Sequence, residues 1–563
     1  MLREPATEMT GAGLSKRTWG RAWPPLMWLR RHVAGIGDTG GAAGEPGVAR
    51  SAPLLALILL AALVLRVATA ILLPSVAHPD ETFQYLEQAN RLAGGRGLVP
   101  WEFVYGARSW IIPGLLWPLA ALSHAISRAP ELYTGLVAAV MICASLTSVA
   151  SAYVLGRAHG RVSAALAGLI TAIWPENVFF APHVLADTLS AASLIGALAL
   201  CVRPGRRRAV VAGLLFGITV ALRIQLAPAV VVAATWALTS RFWRDKFVFG
   251  LALAVPFLAS GVVDWITWGA PFYSTVVNFA ANAGGVADSF GVAPWYYYPG
   301  VEISMWGLAA PLVLGTALLG ARRAPLLGAV VAIVMLTFTA VPHKEYRFIY
   351  PALPILCCLC GIGAAHLLAD LRRFARGRNS ERIGLAAAVA VWAAAAGSVA
   401  LSKPMIDLWT HDRAILQAFA AVNADPASCG LAIAPPVFWS STGQSRLRSD
   451  VTLYIAGALW DPGDSAAYNY FVQPSAPDGT EVHLPGFRFV RCYGDEDACL
   501  YRRGGGCNPD AADPVELGLI PETEAALKRL HDQGLPWAWA RPLRPFYPIP
   551  PTKGLLVPKA AAE

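Results

Sequence analysis

The sequence predicts an all-α polytopic membrane protein with a small extramembrane α/β domain at its C-terminal end. Of the 563 residues, 56% are hydrophobic and 14% are charged, whereas about 25% are charged in ordinary soluble domains. Apolar runs of about 17–23 residues recur from Ala52 to Leu401, and roughly 20 residues are needed for a helix to span a bilayer. Beyond residue 402 the long runs stop and shorter alternating patterns follow.

The apolar runs predict a transmembrane domain over residues 51–402. Its segments are expected at 52–73, 110–127, 132–155, 161–180, 186–202, 209–239, 247–268, 303–320, 325–341, 347–368 and 383–402. Segment 209–239 is interrupted at Arg223–Pro228, which fits either one long broken helix or two short helices that turn back. Between residues 110 and 209 the number of crossings stays open, because one apolar run there need not cross completely.

The regions that flank this domain differ from it in composition. Residues 1–50 are rich in Gly, Ala, Arg and Pro and predict a disordered basic arm in the cytoplasm. Residues 403–563 predict an extracytoplasmic domain, in which Leu431–Ala434 and Val451–Ile455 resemble short strands.

The basic residues indicate the orientation of the chain. The net charge is +9, but Lys and Arg form short clusters between apolar runs, at Arg206–Arg208, Arg241–Lys246, Arg322–Arg323 and Arg372–Arg378. Such clusters are typical of cytoplasmic loops and do not form a nucleic-acid-binding surface. When crossings are counted back from the last cluster, loops 74–109, 269–302 and 342–346 share the external face with the tail.

Two cysteines of the tail flank an acidic loop. They are Cys492 and Cys499, and an external location would expose them to oxidising conditions. A disulfide between them is one expectation, and two free thiols are the alternative.

The first external loop opens with the sequence His-Pro-Asp-Glu-Thr-Phe-Gln, residues 78–84. Asp80 and Glu81 follow a membrane segment closely, and a carboxylate near the bilayer is costly unless it is used or paired. Asp80 is therefore the first candidate for a general base and Glu81 the second. We expect Glu81 to face an acceptor hydroxyl or a basic partner such as Arg108. The alternative is a solvated turn in which Asp80 caps a helix that starts at Glu81.

The second polar motif is His-Lys-Glu-Tyr-Arg-Phe, residues 343–348. His343, Lys344 and Arg347 place three potential cations beside an apolar segment, which favours binding of an anion such as phosphate. Lys, Arg and Tyr also collect at membrane boundaries, so an interfacial anchor is the alternative.

Aromatic and isolated polar residues complete the candidate site. The loop Pro294–Pro299 supplies Trp295, Tyr296 and Tyr298, which would stack on a sugar or an isoprenoid chain, or simply form an aromatic belt. Arg223 lies in an apolar stretch, where a charge favours a functional role. The set expected to bind substrate is His78, Gln84, Arg108, Trp110, Arg223, Trp295, Tyr296 and Tyr298.

These motifs occur in the order found in glycosyltransferase family 22, which the chain resembles over about residues 55–405. That family contains the dolichyl-phosphate-mannose-dependent mannosyltransferases, and the chain looks most like its Alg9-like and GPI-mannosyltransferase branch. The two polar motifs are specific at this separation. The family's aromatic loop often carries a histidine, whereas this loop has Trp and Tyr.

The resemblance implies a GT-C transmembrane bundle with its active site in external loops. It implies an inverting transferase without metal or other cofactor, which moves a sugar, expected to be mannose, from a polyprenyl-phosphate donor to a glycan or glycolipid hydroxyl. Asp80 would act as base, while His343, Lys344 and Arg347 would stabilise the leaving phosphate.

Two other functions stay open at this point. A translocase of lipid-linked sugars would bind the same phosphate and sugar, and a polymerase or ligase of lipid-linked glycans also has large external loops. The Ala-, Arg- and Gly-rich composition favours a bacterial plasma membrane, and the endoplasmic reticulum membrane is expected if the source is eukaryotic.

Overall fold

A computed structural model describes residues 52–94, 96–283, 288, 291–372, 380–434, 443–455, 466–475, 483–494, 498–509 and 511. Three expectations lie outside these residues: the basic arm at 1–50, most of the basic cluster at 373–378, and the acidic loop at 495–497.

Helices dominate the described part of the chain up to residue 424. The α-helices are α1 (Ala52–Leu72), α2 (Glu87–Leu92), α3 (Trp101–Val104), α4 (Ile111–Ile126), α5 (Pro130–Arg157), α6 (Arg161–Ile173), α7 (Pro175–Phe179), α8 (Ala186–Leu200), α9 (Arg206–Leu222), α10 (Ala227–Ser240), α11 (Lys246–Trp268), α12 (Tyr273–Ala283), α13 (Tyr297–Trp306), α14 (Ala310–Arg323), α15 (Pro325–Thr339), α16 (Leu353–Arg372), α17 (Ser380–Ala400), α18 (Lys403–Thr410) and α19 (Arg413–Ala424). A π-helix at Glu81–Leu86 leads into α2, and 3-10 turns lie at Ile224–Leu226, Gly307–Ala309, Tyr346–Ala352 and Gln444–Arg446.

The length and composition of these helices confirm a multi-pass membrane protein. Within the described residues, six helical stretches are long and apolar enough to cross a membrane: Ala52–Leu72, Pro130–Arg157, Lys246–Trp268, Tyr297–Arg323, Tyr346–Leu371 and Arg382–Ala400. A helix satisfies its own backbone hydrogen bonds, as the interior of a bilayer requires. The outer helices expose leucine and isoleucine side chains, such as Leu57 and Ile71 of α1, as expected of surfaces that face lipid.

The helix α4 does not cross the bundle. Near its start, Arg108 lies 3.7 Å from Asp80 in the first polar loop. Just beyond its end, the carbonyl of Arg128 accepts a hydrogen bond from the Ser449 N–H of the tail. Both ends of α4 therefore lie at the same end of the bundle, so α4 is an apolar run between residues 110 and 209 that does not cross the bundle.

The predicted segment 209–239 forms two helices that turn back. Arg223 leaves helical geometry with an extended backbone between α9 and α10. Its guanidinium reaches Asp187 at the start of α8, while the basic residues Arg206 and Arg241 lie at the far ends of the two helices. The second of the two alternatives for this segment is therefore correct.

The tail is a small α/β domain, as predicted. Its five-stranded sheet has the order β2-β1-β3-β5-β4. Strand β1 is parallel to β2 and β3, whereas β5 is antiparallel to β3 and β4. The strands are β1 (Gly430–Ile433), β2 (Thr452–Ile455), β3 (Tyr470–Gln473), β4 (Phe487–Tyr493) and β5 (Ala498–Arg503).

Two disulfides join parts of the tail. Cys492 pairs with Cys499 across β4 and β5, which is the first of the two alternatives left open by the sequence, and Cys429 pairs with Cys507 over a separation of 78 residues. The second bond was not predicted from the sequence.

Candidate active site

Several separate parts of the chain meet at one end of the bundle. Arg347 Nη2 lies 2.6 Å from Asp80 Oδ2, which joins the two polar motifs. Lys344 Nζ donates to the carbonyl of Ala293, 2.9 Å away, in the segment that leads to the aromatic loop. The tail reaches the same end through Arg446, which lies 3.6 Å from Glu81. These contacts agree with the common face predicted for the three loops and the tail.

Asp80 lies among three basic side chains. Besides Arg347, Arg108 Nη2 is 3.7 Å from Asp80 Oδ2 and His78 Nδ1 is 3.4 Å from Oδ1. Burial alone would raise the pKa of Asp80, but the charges of Arg347, His78 and Arg108 outweigh it and hold the pKa well below its usual value. Asp80 is therefore a carboxylate at neutral pH.

A second carboxylate, Glu345, shares two of these basic partners. Arg347 Nε lies 2.5 Å and His78 Nε2 lies 3.2 Å from Glu345 Oε2, while His343 Nε2 lies 2.9 Å from Oε1. Burial opposes ionisation, but Arg347 and His343 together lower the pKa of Glu345 well below its usual value. Arg347 therefore bridges two carboxylates in a network of alternating charge.

Glu81 faces away from this network, although it is next to Asp80 in sequence. It accepts a hydrogen bond of 2.8 Å from His183 Nδ1, in the loop before α8, and is paired with Arg446. The expected basic partner of Glu81 is thus supplied by His183 and Arg446, whereas Arg108, the example expected for this role, pairs with Asp80. Asp80 itself makes no side-chain capping bond to the π-helix that follows, so the capping alternative is not what the structure shows.

A groove opens beside this network, between the polar loops and the membrane helices. Its polar lining includes Tyr85, Arg108 and Arg223, and its apolar lining includes Ile112, Leu222 and Phe257. Arg223 Nη2 lies 2.6 Å from Asp187 Oδ1, and its guanidinium lies 4.7 Å from the centre of the Phe348 ring. The groove thus combines the partly exposed Arg108 and the buried Arg223 with an apolar wall.

The other cations of the second motif contact backbone carbonyls. Lys344 is buried and donates to the carbonyls of Val341 and Ala293, at 2.6 and 2.9 Å. His343 Nδ1 lies 2.7 Å from the carbonyl oxygen of Gly291. Both side chains hold the segment before the aromatic loop, and their predicted contact with phosphate stays a prediction.

The predicted aromatic and amide residues have diverse surroundings. Trp295 and Tyr296 are 72% and 58% exposed, while Tyr298 is fully buried. Trp110 packs against Phe103 and Trp268, and Gln84 Nε2 donates to Glu102 Oε1 at 2.7 Å. Direct contact of these residues with substrate stays a prediction.

The structure adds polar residues to the site that were not among the predicted ones, namely Glu102, His183, Glu345 and Arg446. One of them carried a signal, because Glu345 lies inside the second polar motif. His183 and Arg446 join the site through contacts over long sequence separations, which no local pattern indicates. Among the described residues, no three His, Cys, Asp or Glu side chains converge as metal ligands would.

Relatives and solved structures resemble much of the chain. GPI mannosyltransferase 3 of Yarrowia lipolytica is 26% identical over 322 residues, which cover 52% of this chain and 59% of the relative. The Alpha-1,2-mannosyltransferase alg9 of Schizosaccharomyces pombe is 26% identical over 323 residues, covering 50% and 54%. The chain thus matches a little over half the length of these relatives.

The fold comparison agrees with the predicted GT-C bundle. ArnT from Cupriavidus metallidurans, solved bound to undecaprenyl phosphate, superposes with a TM-score of 0.53 at 14% identity, covering 80% of this chain and 99% of that one. At this identity the likeness shows the fold alone. Residues 57–426 match the sequence profile of one family, and this match covers more than half of the chain. The chain therefore belongs to the Alg9-like mannosyltransferase family.

Proposed function

We propose that this protein is an inverting membrane glycosyltransferase. It transfers a sugar, mannose in our proposal, from a polyprenyl-phosphate donor to a hydroxyl of a glycan or glycolipid. The observation that carries the proposal is the position of the Asp80 carboxylate, which is ionised and lies 2.6 Å from Arg347. A glycosyl transfer needs a base, because the acceptor loses a proton, and a cation, because the leaving phosphate gains charge. In our proposal Asp80 supplies the base and Arg347 supplies the cation.

The groove suits a lipid-linked donor. Its apolar side, formed in part by Leu222 and Phe257, would receive the isoprenoid chain, and Arg108 and Arg223 line its polar side. The donor is a phosphodiester with a single negative charge, so arginine side chains can neutralise it. The lipid tail also explains why a sugar transferase of this kind is a membrane protein.

The transfer step requires Asp80 as a proton acceptor. The acceptor oxygen forms a bond to the anomeric carbon as its proton moves to the Asp80 carboxylate, and the bond from that carbon to the phosphate oxygen breaks. The electron pair leaves with polyprenyl phosphate. Attack from the side opposite the phosphate inverts the anomeric centre, and general-base assistance of this kind contributes about 10²–10⁴-fold to the rate.

Arg347 would couple donor binding to this step. While it is paired with Asp80, the low pKa of Asp80 makes the carboxylate a weak base. A donor phosphate competes for the same guanidinium, and a weaker pair with Arg347 would raise the pKa of Asp80. Donor binding would thus activate the base at the moment when it is needed.

The disulfides of the tail support an external active site. Cys429–Cys507 and Cys492–Cys499 lie in the domain that contacts the Asp80 segment, and disulfides persist in oxidising compartments. We place the site on the external face of a bacterial plasma membrane, or on the luminal face of the endoplasmic reticulum membrane in a eukaryotic source.

The substitution Asp80→Asn tests the proposal. Asparagine keeps the size of the side chain but cannot accept the proton, so we expect transfer from polyprenyl-phosphate mannose to fall by about 10²–10⁴-fold. Expression and binding of the donor should persist. The matched control is Asp407→Asn, because Asp407 is 60% exposed and pairs with Lys403 on the surface of α18.

The outcomes separate a transferase from a translocase. Membranes that hold the wild-type chain should label an endogenous lipid or glycan with mannose, and Asp80→Asn membranes should not. If Asp80→Asn labels acceptors as fast as the control, the base is assigned wrongly. If the wild type flips the donor across vesicles without any transfer, the translocase is the correct function.

A further inference from the structure

The tail contacts the segment that carries Asp80 both before and after that residue. Before it, the N–H of Val76 donates to the carbonyl of His411 at 3.2 Å, and His411 Nδ1 lies 2.8 Å from the carbonyl of Val76. After it, the N–H of Ser445 donates to Glu87 Oε1 at 2.5 Å. Between these points, Phe83 is buried in the hydrophobic core of the tail. The segment that contains the first polar motif is therefore held against the tail on both sides of Asp80.

Glu81 closes the turn in which Asp80 lies. Its Oε2 accepts the N–H of Ala77 at 3.2 Å, and the N–H of Glu81 donates to the carbonyl of His78 at 3.0 Å. Glu81 thus closes the turn at residues 77–81 through both its side chain and its backbone N–H. The position of the Asp80 carboxylate depends on this turn.

Two side chains, His183 and Arg446, hold the Glu81 carboxylate in place. His183 Nδ1 is 2.8 Å from Oε2, and Arg446 Nη2 is 3.6 Å from Oε1. Glu81 is 5% exposed, so its charge is screened little by water and needs both partners. His183 comes from the membrane domain and Arg446 comes from the tail, so each domain supplies one partner.

The loop that carries Arg446 fits closely against the helix of the motif. Gly443 has a φ of +68°, and a Cβ at this position would lie 2.6 Å from Glu87 Oε1 and 2.7 Å from Thr82 Cγ2. Gln444 fastens the loop to the carbonyl of Val451, and Asn423 donates to the carbonyl of Arg446. The backbone of the tail thus fixes the place from which Arg446 extends.

We propose that Arg446 is a positioning residue for the transfer reaction. It acts through Glu81, whose carboxylate sets the turn that presents Asp80 to the acceptor hydroxyl. This inference rests on the proposed function, because Asp80 is the base of that reaction. It assigns to the tail a direct part in building the active site, beyond the domain's own fold.

The test compares Arg446→Met, Arg446→Lys and Arg502→Met in the full-length protein in nanodiscs. Arg502 is the matched control, because it lies in the tail and pairs with Asp425 at 2.8 Å. Polyprenyl-phosphate mannose is the donor, and a lipid extract of the source membranes supplies acceptors. Arg446→Met should lower kcat by about 10- to 100-fold, because a small misplacement of a reacting group has effects of this size. The donor KM should stay within about twofold.

Arg446→Lys should restore most of kcat, because it keeps the charge, and Arg502→Met should match the wild type. Hydrogen exchange at the N–H of Ala77 should speed up in Arg446→Met, because its acceptor Glu81 is loosened. A wild-type kcat in Arg446→Met overturns the positioning role alone. If Arg446→Met and Arg446→Lys lose kcat equally and both proteins unfold, the positioning role is also overturned. A wild-type protein that transfers no sugar overturns the proposed function and this role with it.

Discussion

Asp80 and Glu102 are two carboxylates near one end of the bundle, but their pKa values are shifted in opposite directions. Asp80 has Arg347 at 2.6 Å and is held ionised. Glu102 is buried beside the neutral amide of Gln84, and burial raises its pKa to about 7. The charge of Asp80 adds to this increase, and Arg108 opposes it. The surroundings, and not the residue type, decide the direction in which the pKa of each carboxylate is shifted.

The raised pKa of Glu102 predicts a pH-dependent stability. The usual value is 4.5, so folding favours the protonated form, and this contribution is complete below about pH 4.5 and lost as the pH rises through about 7. Glu102→Gln mimics the protonated form at every pH. The midpoint of thermal unfolding in detergent should therefore fall between pH 5.5 and 8.5 in the wild type, and fall less in Glu102→Gln.

Glu131→Gln serves as the control, because Glu131 is exposed at the start of α5. It should follow the wild type across the same pH range. Parallel curves for the wild type and Glu102→Gln would contradict a protonated Glu102.

The sequence indicated the proposed reactive residues better than their partners. The two motifs and their order pointed to Asp80, His78 and Arg347, which the structure brings together. The partners of Glu81 could not be predicted, because His183 is 102 residues away and Arg446 lies in a domain without a recognised motif. Only the folded chain shows that neighbours such as Asp80 and Glu81 point to different surroundings.

At the scale of elements, the helix that follows Asp80 belongs to two cores. Tyr85, Leu86 and Ala89 pack into the core of the bundle, whereas Phe83 packs with Phe419 and other side chains of the tail. A helix shared in this way couples the stability of the tail to the geometry of the motif.

Phe83→Ala should loosen the tail from the bundle. Removing a buried phenylalanine side chain typically lowers the free energy of unfolding by about 3–5 kcal/mol, and Phe83 is 5% exposed. We expect limited proteolysis to cut the tail faster than in the wild type and the midpoint of thermal unfolding to drop. Phe489→Ala is the control, because Phe489 on β4 is 41% exposed. Equal proteolysis of the two variants would show that Phe83 does not anchor the tail.

Apolar patterns predicted where the helices occur in the chain, but not how each helix is oriented in the bundle. The runs that became α4 and α9–α10 look similar in composition, yet α4 lies along one face while α9 and α10 form a hairpin. The ends of these helices make different polar contacts, such as the Arg128 carbonyl with the Ser449 N–H and Arg223 with Asp187. Hydropathy measures the cost of burial in lipid and contains no information about these partners.

At the scale of the whole molecule, the contacts add to the topology that was inferred from the basic clusters. We infer that α4 lies along one face and that α9 and α10 cross separately, so that the ends of the helices alternate from α1 to the tail. The tail then lies on the same side as the first polar loop. The cluster Arg322–Arg323 at the end of α14 lies on the other side.

Cysteine labelling in intact cells tests this topology. Trp295 is 72% exposed beside the polar motifs, and Arg323 is exposed at the opposite end of the bundle. A membrane-impermeant maleimide should label Trp295→Cys directly, and Arg323→Cys after permeabilisation. The background carries Cys143→Ala, because Cys143 is an exposed free cysteine. Labelling of both positions in intact cells would disprove the topology.

The bond between Glu87 and Ser445 joins residues that are 358 positions apart in the chain. A ribosome makes the Asp80 segment early and the loop at 443–447 late, after the last membrane helix. A nascent chain would therefore insert its bundle before the support of Asp80 exists, and activity would appear when the tail has crossed and folded. We expect catalytic competence in pulse–chase experiments to follow translocation of the tail, so that an enzyme still being inserted leaves its proposed lipid-linked donor untouched.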